Sequence, residues 1–295
     1  MIPEKPSAIK IWIYAARPKT LPAALASVFT ATALTWHDHV FIWQPAVYCL
    51  VFALLAQIAA NLINDYLDFK GGIDTKERLG PTRAVAAGWV KPKTMLLASI
   101  ATIILAVLCG TLLIPYGGPQ LWWVGIACVL FCGLYSPLSR YGLGDLFVLI
   151  FFGLIPVMFT YFVQAGYFSW TAIILGCITG ILSINILISN NYRDYYTDKA
   201  TGKNTSIVLL GLNFGQKFYL STGIVACLLN LWLFGLLGHI WLGFIAWLFL
   251  PFHFKAWKTL IRIGKGRELN IILGYSSRNL LIFCLLEMIA LVVVV

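Results

Sequence analysis

Long apolar stretches separated by short polar connections run along almost the whole chain. A transmembrane helix needs roughly 20 mainly apolar residues, and about nine stretches approach that length. They cover approximately residues 18–36, 44–65, 94–114, 120–138, 143–164, 168–192, 217–237, 240–257 and 271–294. No stretch has the composition of a separate soluble domain. The pattern predicts an all-α, polytopic membrane protein with about nine transmembrane helices, in which residues 1–295 form a single membrane-embedded domain.

The basic residues fall on alternate connections between these stretches. If the N-terminus is cytoplasmic, all but one of the 21 basic residues lie on the inner side, and the last, Arg278, lies in the inner half of span nine. The outer connections, near residues 37–39, 115–120, 164–167 and 236–239, carry no Lys or Arg. Because cytoplasmic loops are enriched in Lys and Arg, the pattern predicts an N-in, C-out topology.

Composition agrees with a membrane protein. The chain is 60% hydrophobic and 11% charged, with a net charge of +10. Because the positive charges sit in short loops beside the spans, we interpret them as topology signals that contact membrane lipid, and we expect no nucleic-acid partner. The seven cysteines all lie inside apolar stretches; only Cys128 and Cys132 share a helical face, and no His or acidic residue accompanies them, which favours packing over metal binding.

One polar cluster ends the second apolar stretch. Asn61, Asn64, Asp65 and Asp68 are three or four residues apart, so they share one face of a helix, and Asp74 follows just beyond. Carboxylates at the end of an apolar span are costly unless a cation satisfies them. We therefore expect this cluster to be a functional site.

A second cluster ends the sixth stretch and repeats this spacing. It contains the residues Asn190, Asn191, Arg193, Asp194, Asp198 and Lys203. Both clusters end an even-numbered span, so both are predicted to reach the cytoplasmic side. This recurrence disfavours the simpler interpretation, in which these are solvated helix-end residues paired with adjacent lysines.

Oxygen ligands from carboxylates and amides are those that Mg²⁺ accepts, and a substrate phosphate usually completes its shell. Two facing carboxylate clusters would repel each other unless metal ions and a diphosphate lay between them. Basic residues nearby are then candidates for the remaining phosphate oxygens: Arg78, Arg83, Arg193 and Lys203. The predicted chemistry is metal-assisted departure of a diphosphate.

The two motifs resemble those of the intramembrane aromatic prenyltransferase superfamily, whose members have nine transmembrane helices and Asp-rich motifs on the second and sixth. Asn64, Asp65 and Asp68 match the first motif, but position 72 is Gly and the third acid is displaced to Asp74. That departure, the following 78–88 segment and the second motif from Asn190 to Thr205 are similar to the 1,4-dihydroxy-2-naphthoate polyprenyltransferase branch.

The resemblance implies transfer of a polyprenyl group from polyprenyl diphosphate to 1,4-dihydroxy-2-naphthoate in the bacterial plasma (inner) membrane, with loss of CO₂ and diphosphate and with the active site facing the cytoplasm. It implies Mg²⁺ as cofactor, held by Asp65, Asp68, Asp194 and Asp198, with Asp74 as a further candidate. The implied substrate-binding residues are Asn61, Asn64, Arg78, Arg83, Asn190, Asn191, Arg193 and Lys203.

Three alternatives stay open at this point. The first is a sister enzyme with another aromatic acceptor, such as 4-hydroxybenzoate. The second is a cation-coupled transporter, because intramembrane acids also mark ion pathways; here, however, the acids lie at helix ends. The third, a lipid head-group phosphotransferase, is disfavoured because its Asp-Gly-x-x-Ala-Arg pattern is absent.

Overall fold

A computed structural model describes residues 6–72 and 78–293, without the side chains of residues 135–137. The described chain is helical throughout and contains no strand. In chain order the α-helices are α1 (Ala8–Ala16), α2 (Leu21–His37), α3 (Trp43–Lys70), α4 (Pro92–Thr111), α5 (Ile114–Gly117), α6 (Leu121–Leu138), α7 (Gly144–Leu149), α8 (Ile155–Ala165), α9 (Trp170–Arg193), α10 (Tyr195–Ala200), α11 (Ser206–Leu210), α12 (Leu212–Leu236), α13 (Leu250–Ile263) and α14 (Asn270–Val293).

The all-helical membrane architecture is confirmed. Among the described residues, seven helical segments are long and apolar enough to cross a membrane: Trp43–Lys70, Pro92–Thr111, Ser139–Ala165, Trp170–Arg193, Leu212–Leu236, Ile240–Ile263 and Arg267–Val293. The other two predicted spans also lie on helices, α2 and α6, but α2 has only 17 residues and the described apolar part of α6 is short. The count of nine spans and the N-in, C-out orientation stay predictions.

Several boundaries differ from those predicted by hydropathy. Helix α1 precedes the first predicted span. Hydropathy did not predict this helix, because its apolar pattern of Ile, Trp and Ala residues is too short for a transmembrane span. Helix α3 continues to Lys70, so the whole first cluster up to Asp68 is helical. The fifth predicted span is interrupted by non-helical backbone at Tyr141 and Gly142 and by a π-helical segment over Ile150–Leu154.

Helix α9 lies at the centre of the bundle, where it packs against α2, α7, α8, α12 and α14. Small residues allow this burial. A Cβ atom added to Gly153 would lie 2.3 Å from the carbonyl oxygen of Gly176, so the backbones of two helical segments nearly touch there. Such close approach is typical of membrane helices, in which packing rather than the hydrophobic effect holds the bundle together. The packing of α9 against five neighbouring helices therefore fixes the position of the helix that carries the second cluster.

Candidate functional site

Asn61 connects the first cluster to the N-terminal part of the chain. Its Nδ2 donates to the carbonyl oxygen of Ala16 at 2.9 Å and to Oγ1 of Thr20 at 3.1 Å. Gln57, one turn earlier, donates to the same hydroxyl at 3.2 Å. These bonds tie α3 to the connection between α1 and α2. The amide of Asn61, which we expected to meet substrate, therefore holds the scaffold.

Asp65 anchors the loop that follows the first cluster. The residue is only 1% exposed. Its Oδ2 accepts from the backbone N–H of Ala84 at 3.0 Å, and its Oδ1 accepts from that of Val85 at 3.3 Å. The positive charges of Arg17 and Arg78 also act on this carboxylate. Because a carboxylate oxygen has more than one lone pair, these bonds leave Asp65 able to meet a further ligand.

Asp68 and Asn64 complete the described part of this cluster. Asp68 forms an ion pair with Arg83, and both side chains are largely buried. Oδ1 of Asn64 is buried and accepts no hydrogen bond from the described residues. A buried acceptor of this kind calls for a partner, and beside two carboxylates that partner is a cation or a water bound to one. Asp74 lies outside the described residues.

Arg193 organises the second cluster and is 3% exposed. Its Nε and Nη2 donate to the two carboxylate oxygens of Asp194 at 2.8 and 2.6 Å. Its Nη1 donates to Oδ1 of Asn190 at 2.9 Å and to Oδ1 of Asn270 at 2.8 Å. All three nitrogens of the guanidinium group are engaged. In this structure Arg193 therefore orients its neighbours, whereas the sequence suggested a direct contact with diphosphate.

Asp198 and Lys203 form the outer half of the second cluster. Nζ of Lys203 lies 3.0 Å from Oδ2 of Asp198, whose side chain is mostly buried while that of Lys203 is partly exposed. Burial raises the pKa of Asp198, and the positive charge and hydrogen bond of Lys203 act in the opposite direction. Asn191 is buried nearby, at the end of α9. Lys203 is thus the basic residue of this cluster best placed to bind an incoming anion while its ammonium group stays paired with Asp198.

The two clusters meet through the segment that follows the first one. A Cβ atom added to Gly80 would lie 2.8 Å from Nη2 of Arg193. Asn270, at the start of α14, donates from Nδ2 to the carbonyl oxygen of Leu79 at 2.8 Å while it accepts from Arg193. Arg267 donates to the carbonyl oxygen of Arg78 at 3.2 Å. The prediction that both clusters lie at one end of the bundle is therefore confirmed.

Asn270 was missed by sequence reasoning. It lies 77 residues from Arg193 and 191 residues from Leu79 along the chain, and helix periodicity carries no information about such distant contacts. The only signal was a polar amide directly after the short Gly264 to Gly266 connection, at the start of an apolar span. At the start of a helix, an amide side chain can form hydrogen bonds with the backbone of neighbouring loops.

The oxygen ligands of the two clusters could supply only part of the coordination shell of a magnesium ion. Within the described ranges no three His, Cys, Asp or Glu side chains converge on one metal position. Mg²⁺ usually takes one or two carboxylates and keeps oxygens from water or a substrate phosphate. Two Asp residues on each cluster and the unbonded Asn64 oxygen suit that type of site. The residues therefore fit a magnesium ion shared with a phosphate ligand.

An apolar cavity of about 370 Å³ begins beside the first cluster. Its walls come from α2, α3, α4, α6 and α8, and it follows α3 from Cys49 to Ala60, one residue before Asn61. Small side chains open the space between these helices; they include Ala53, Ala56, Ala60, Ala106 and Gly110. Gln57 is one of the few polar residues in the wall. A long apolar group therefore fits along α3, next to the start of the first cluster.

The amino-acid sequence is similar to those of known proteins over most of its length. The chain is 33% identical over 281 residues to a Mycobacterium tuberculosis protein named 1,4-dihydroxy-2-naphthoate octaprenyltransferase, covering 93% of this chain and 94% of that one. The Escherichia coli protein of the same name is 34% identical over 262 residues, or 85% of this chain and 83% of that one.

A solved structure shares the fold. It is described as a UbiA homolog from Archaeoglobus fulgidus bound to DMAPP and Mg²⁺, and it aligns with a TM-score of 0.63 at 15% identity over 96% of this chain and 99% of that one. The model of the UbiA prenyltransferase family matches residues 24–268, which include both clusters and the cavity. By this match and by the relatives above, the chain belongs to the UbiA prenyltransferase family.

Proposed function

We propose that this protein transfers a polyprenyl group from polyprenyl diphosphate to 1,4-dihydroxy-2-naphthoate, with release of diphosphate and CO₂, at the cytoplasmic face of the bacterial inner membrane. The immediate product is a prenylated naphthoquinol, the reduced form of a demethylmenaquinone. The observation that carries the proposal is the apolar cavity that ends one residue before the first cluster, whose following loop contacts the second cluster. This arrangement matches a substrate that is apolar along its tail and anionic at its head. The names of relatives about one third identical support the choice of acceptor.

The cavity suits the isoprenoid tail. It runs along α3 from Cys49 to Ala60, a distance of about 16 Å at the rise of an α-helix. The first isoprene units fill this space, and the rest of a long tail continues between the helices into lipid. Burial of the tail places the allylic carbon next to Asn61 and Asn64 and excludes water from it.

The polar clusters suit the diphosphate and its metal. Asp68 and Asn64 on one side and Asp194 and Asp198 on the other would hold Mg²⁺, with Asp65 as a further oxygen donor. Bound Mg²⁺ would neutralise the charge that develops on the leaving diphosphate. Arg83 and Lys203, each already beside an Asp, would donate to phosphate oxygens from their own sides of the site.

The remaining residues keep the two halves in register. Arg193 and Asn270 hold the end of α9 against the loop after the first cluster. Asp65 fixes the part of that loop at Ala84 and Val85, which lies close to Arg83. In the reaction the C–O bond between the prenyl group and diphosphate breaks and a C–C bond to the electron-rich ring forms. The acceptor carboxyl group leaves as CO₂.

The test is product analysis with the purified protein in lipid nanodiscs. Dihydroxynaphthoate and 4-hydroxybenzoate are offered separately with one polyprenyl diphosphate, with and without Mg²⁺. We expect a decarboxylated prenyl naphthoquinol by mass spectrometry only with dihydroxynaphthoate and Mg²⁺. A prenylated hydroxybenzoate that keeps its carboxyl group would contradict the proposed acceptor, and turnover in excess chelator would contradict the metal.

A further inference from the structure

Arg278 has an unusual position for an arginine. It lies on α14, eight residues after the helix begins at Asn270, which corresponds to about 12 Å along the axis. Its side chain is nevertheless exposed at the surface of the bundle. Among the described residues it forms no ion pair. Because a charge inside a membrane span is costly and usually paired, this residue calls for a partner from outside the protein.

The guanidinium group of Arg278 is held in one orientation. It lies over the ring of Tyr275, 4.9 Å from the centroid, and over that of Phe252 at 5.6 Å. Its Nε and Nη2 donate to Oδ1 of Asn279 at 3.3 and 3.0 Å, and Asn279 donates to the carbonyl oxygen of Phe252 at 3.1 Å. Within the described residues, the hydrogen bonds of this guanidinium group come from Nε and Nη2, so Nη1 keeps its N–H groups for another acceptor. A fixed arginine with spare N–H groups is well suited to a phosphate.

The neighbouring helix α13 presents further positive charge. Lys255, Lys258 and Arg262 are exposed and spaced three and four residues apart, so they share one face. The opposite face carries the buried His253, Ala256 and Leu260. We call Lys255, Lys258, Arg262 and Arg278 the basic face.

The bond from Asn279 to the Phe252 carbonyl fixes how α13 and α14 are aligned. It places Lys255 one turn further than Phe252 toward the Gly264 to Gly266 connection, close to the level of Arg278. Neither helix carries an acid beside the basic face: α13 has none, and the one acid of α14, Glu287, is buried nine residues beyond Arg278. Glu268 lies in the connection between the helices and, in the described part of the chain, forms no ion pair with the basic face. The surface is therefore complementary to an anion.

We propose that the basic face binds the head group of an anionic phospholipid. Arg278 and Lys255 contact its phosphate, and Lys258 and Arg262 extend the positive surface toward the cytoplasm. The acyl chains lie along exposed apolar residues of the same two helices on the side away from the Gly264 to Gly266 connection, which include Phe252, Leu281 and Leu285. This apolar continuation selects a lipid over a free phosphate ion. Basic surfaces between membrane helices on the cytoplasmic side bind anionic head groups in this way.

The occupant would brace the polar site from a distance. The connection between α13 and α14 leads to Arg267 and Asn270, which hold the loop at Arg78 and Leu79. A lipid that bridges the two helices therefore stabilises the same end of the bundle without contacting the carboxylate clusters. The inference does not depend on which acceptor the protein uses.

The test compares full-length protein in nanodiscs of phosphatidylcholine with discs that also contain phosphatidylglycerol. We expect the anionic lipid to raise Tm by several degrees and to be retained as a bound molecule in native mass spectrometry. The double variant K255Q/R278Q should bind phosphatidylglycerol about 25-fold more weakly, because each basic residue near a membrane surface contributes about a factor of five to binding. Lys217→Gln, an exposed lysine on α12, is the matched control and should behave as wild type.

Two results would overturn the proposal. The first is equal retention of phosphatidylglycerol by K255Q/R278Q and wild type. The second is complete competition by inorganic phosphate or glycerol phosphate, which would assign the site to a free anion. If R278Q fails to fold, K255Q and K258Q leave the stacked arginine in place and must each weaken retention; unchanged retention in both would equally refute the lipid site.

Discussion

The two carboxylate clusters have similar spacing in sequence, with the Asp pair three residues apart in the first and four apart in the second, but they are built differently. In the first, Asp65 and Asp68 are held by groups 15 to 20 residues away, namely the side chain of Arg83 and the backbone of Ala84 and Val85. In the second, Asp194 and Asp198 are held by Arg193 and Lys203, one and five residues away. The carboxylates of the first cluster thus depend on a loop, whereas those of the second are held by partners close in sequence. We call the first cluster loop-dependent and the second self-contained in this sense. Similar motifs should therefore fail in different ways when they are altered.

The largest expected effect is on turnover. Asp68→Asn, Asp194→Asn and Asp198→Asn each remove a negative charge that would hold Mg²⁺ and should lower kcat/KM by at least about 100-fold, the scale for loss of one group that stabilises the transition state. The measurement is prenyl transfer in nanodiscs, with size-exclusion profiles to verify folding. Glu268→Gln, an exposed acid in the connection before α14, is the control and should retain activity. Near-normal turnover in any two of the Asp variants would contradict the site.

Next in size is a difference in stability between the clusters. Asp65→Asn places an amide where a carboxylate accepts two backbone N–H groups, so it should destabilise the protein by about 2 kcal/mol and release the loop at Arg83. Asp194→Asn removes the ion pair with the buried Arg193 and also destabilises the protein, but it breaks no bond to the loop at Ala84 and Val85 and should leave that loop in place. Tm and the rate of trypsin cleavage after Arg78 and Arg83 measure both. Equal protease sensitivity of the two variants would remove the distinction between a loop-dependent and a self-contained cluster.

A smaller effect is expected at the junction between the clusters. Asn270→Ala and Gly80→Ala disturb the same contact with Arg193, so the double variant should lose less than the sum of the single losses. The coupling free energy for residues in contact is about 0.5 to 3 kcal/mol. It is obtained from kcat/KM of the wild type, both single variants and the double variant. Strict additivity would mean that Asn270 and Gly80 act independently.

The smallest effect is a shift with pH. Burial raises the pKa of Asp198, and Lys203 lowers it. In Lys203→Gln the pKa of Asp198 therefore rises further, and a larger fraction of this carboxyl is protonated at any acidic pH. The acid limb of the pH profile of kcat/KM should move to higher pH, with little change near the alkaline end. Lys199→Gln, on the exposed part of the same short helix, is the control. An unmoved acid limb would show that Asp198 carries no essential negative charge.

Much of this arrangement could be predicted because it depends on local pattern. Hydropathy located the helices, and the spacing of Asn64, Asp65 and Asp68 placed them on one face of a helix. Positive charges in the loops indicated that both clusters reach one end, as the contact between Gly80 and Arg193 confirms.

Other features could not be predicted, because they depend on which distant segments meet. The role of Arg193 could not be known without Asn270, and the role of Asp65 could not be known without the backbone of Ala84 and Val85. The break in the helix at Gly142, where φ is +81°, also arises from packing. A Cβ there would lie 3.2 Å from the carbonyl oxygen of Asn204. Periodicity within one segment is blind to such contacts.

The hydrogen bond between Asn270 and the Leu79 carbonyl oxygen also determines how late in synthesis the two clusters can be joined. The first cluster leaves the ribosome long before Asn270, which is 191 residues further along the chain from Leu79. At typical synthesis rates of 5 to 20 residues per second, that gap lasts roughly 10 to 40 s. During this interval the half-built bundle lacks the residue that closes its polar end. We therefore expect the contact between the two clusters to form only after α14 has been inserted, and a truncation before α14 should leave the clusters without it.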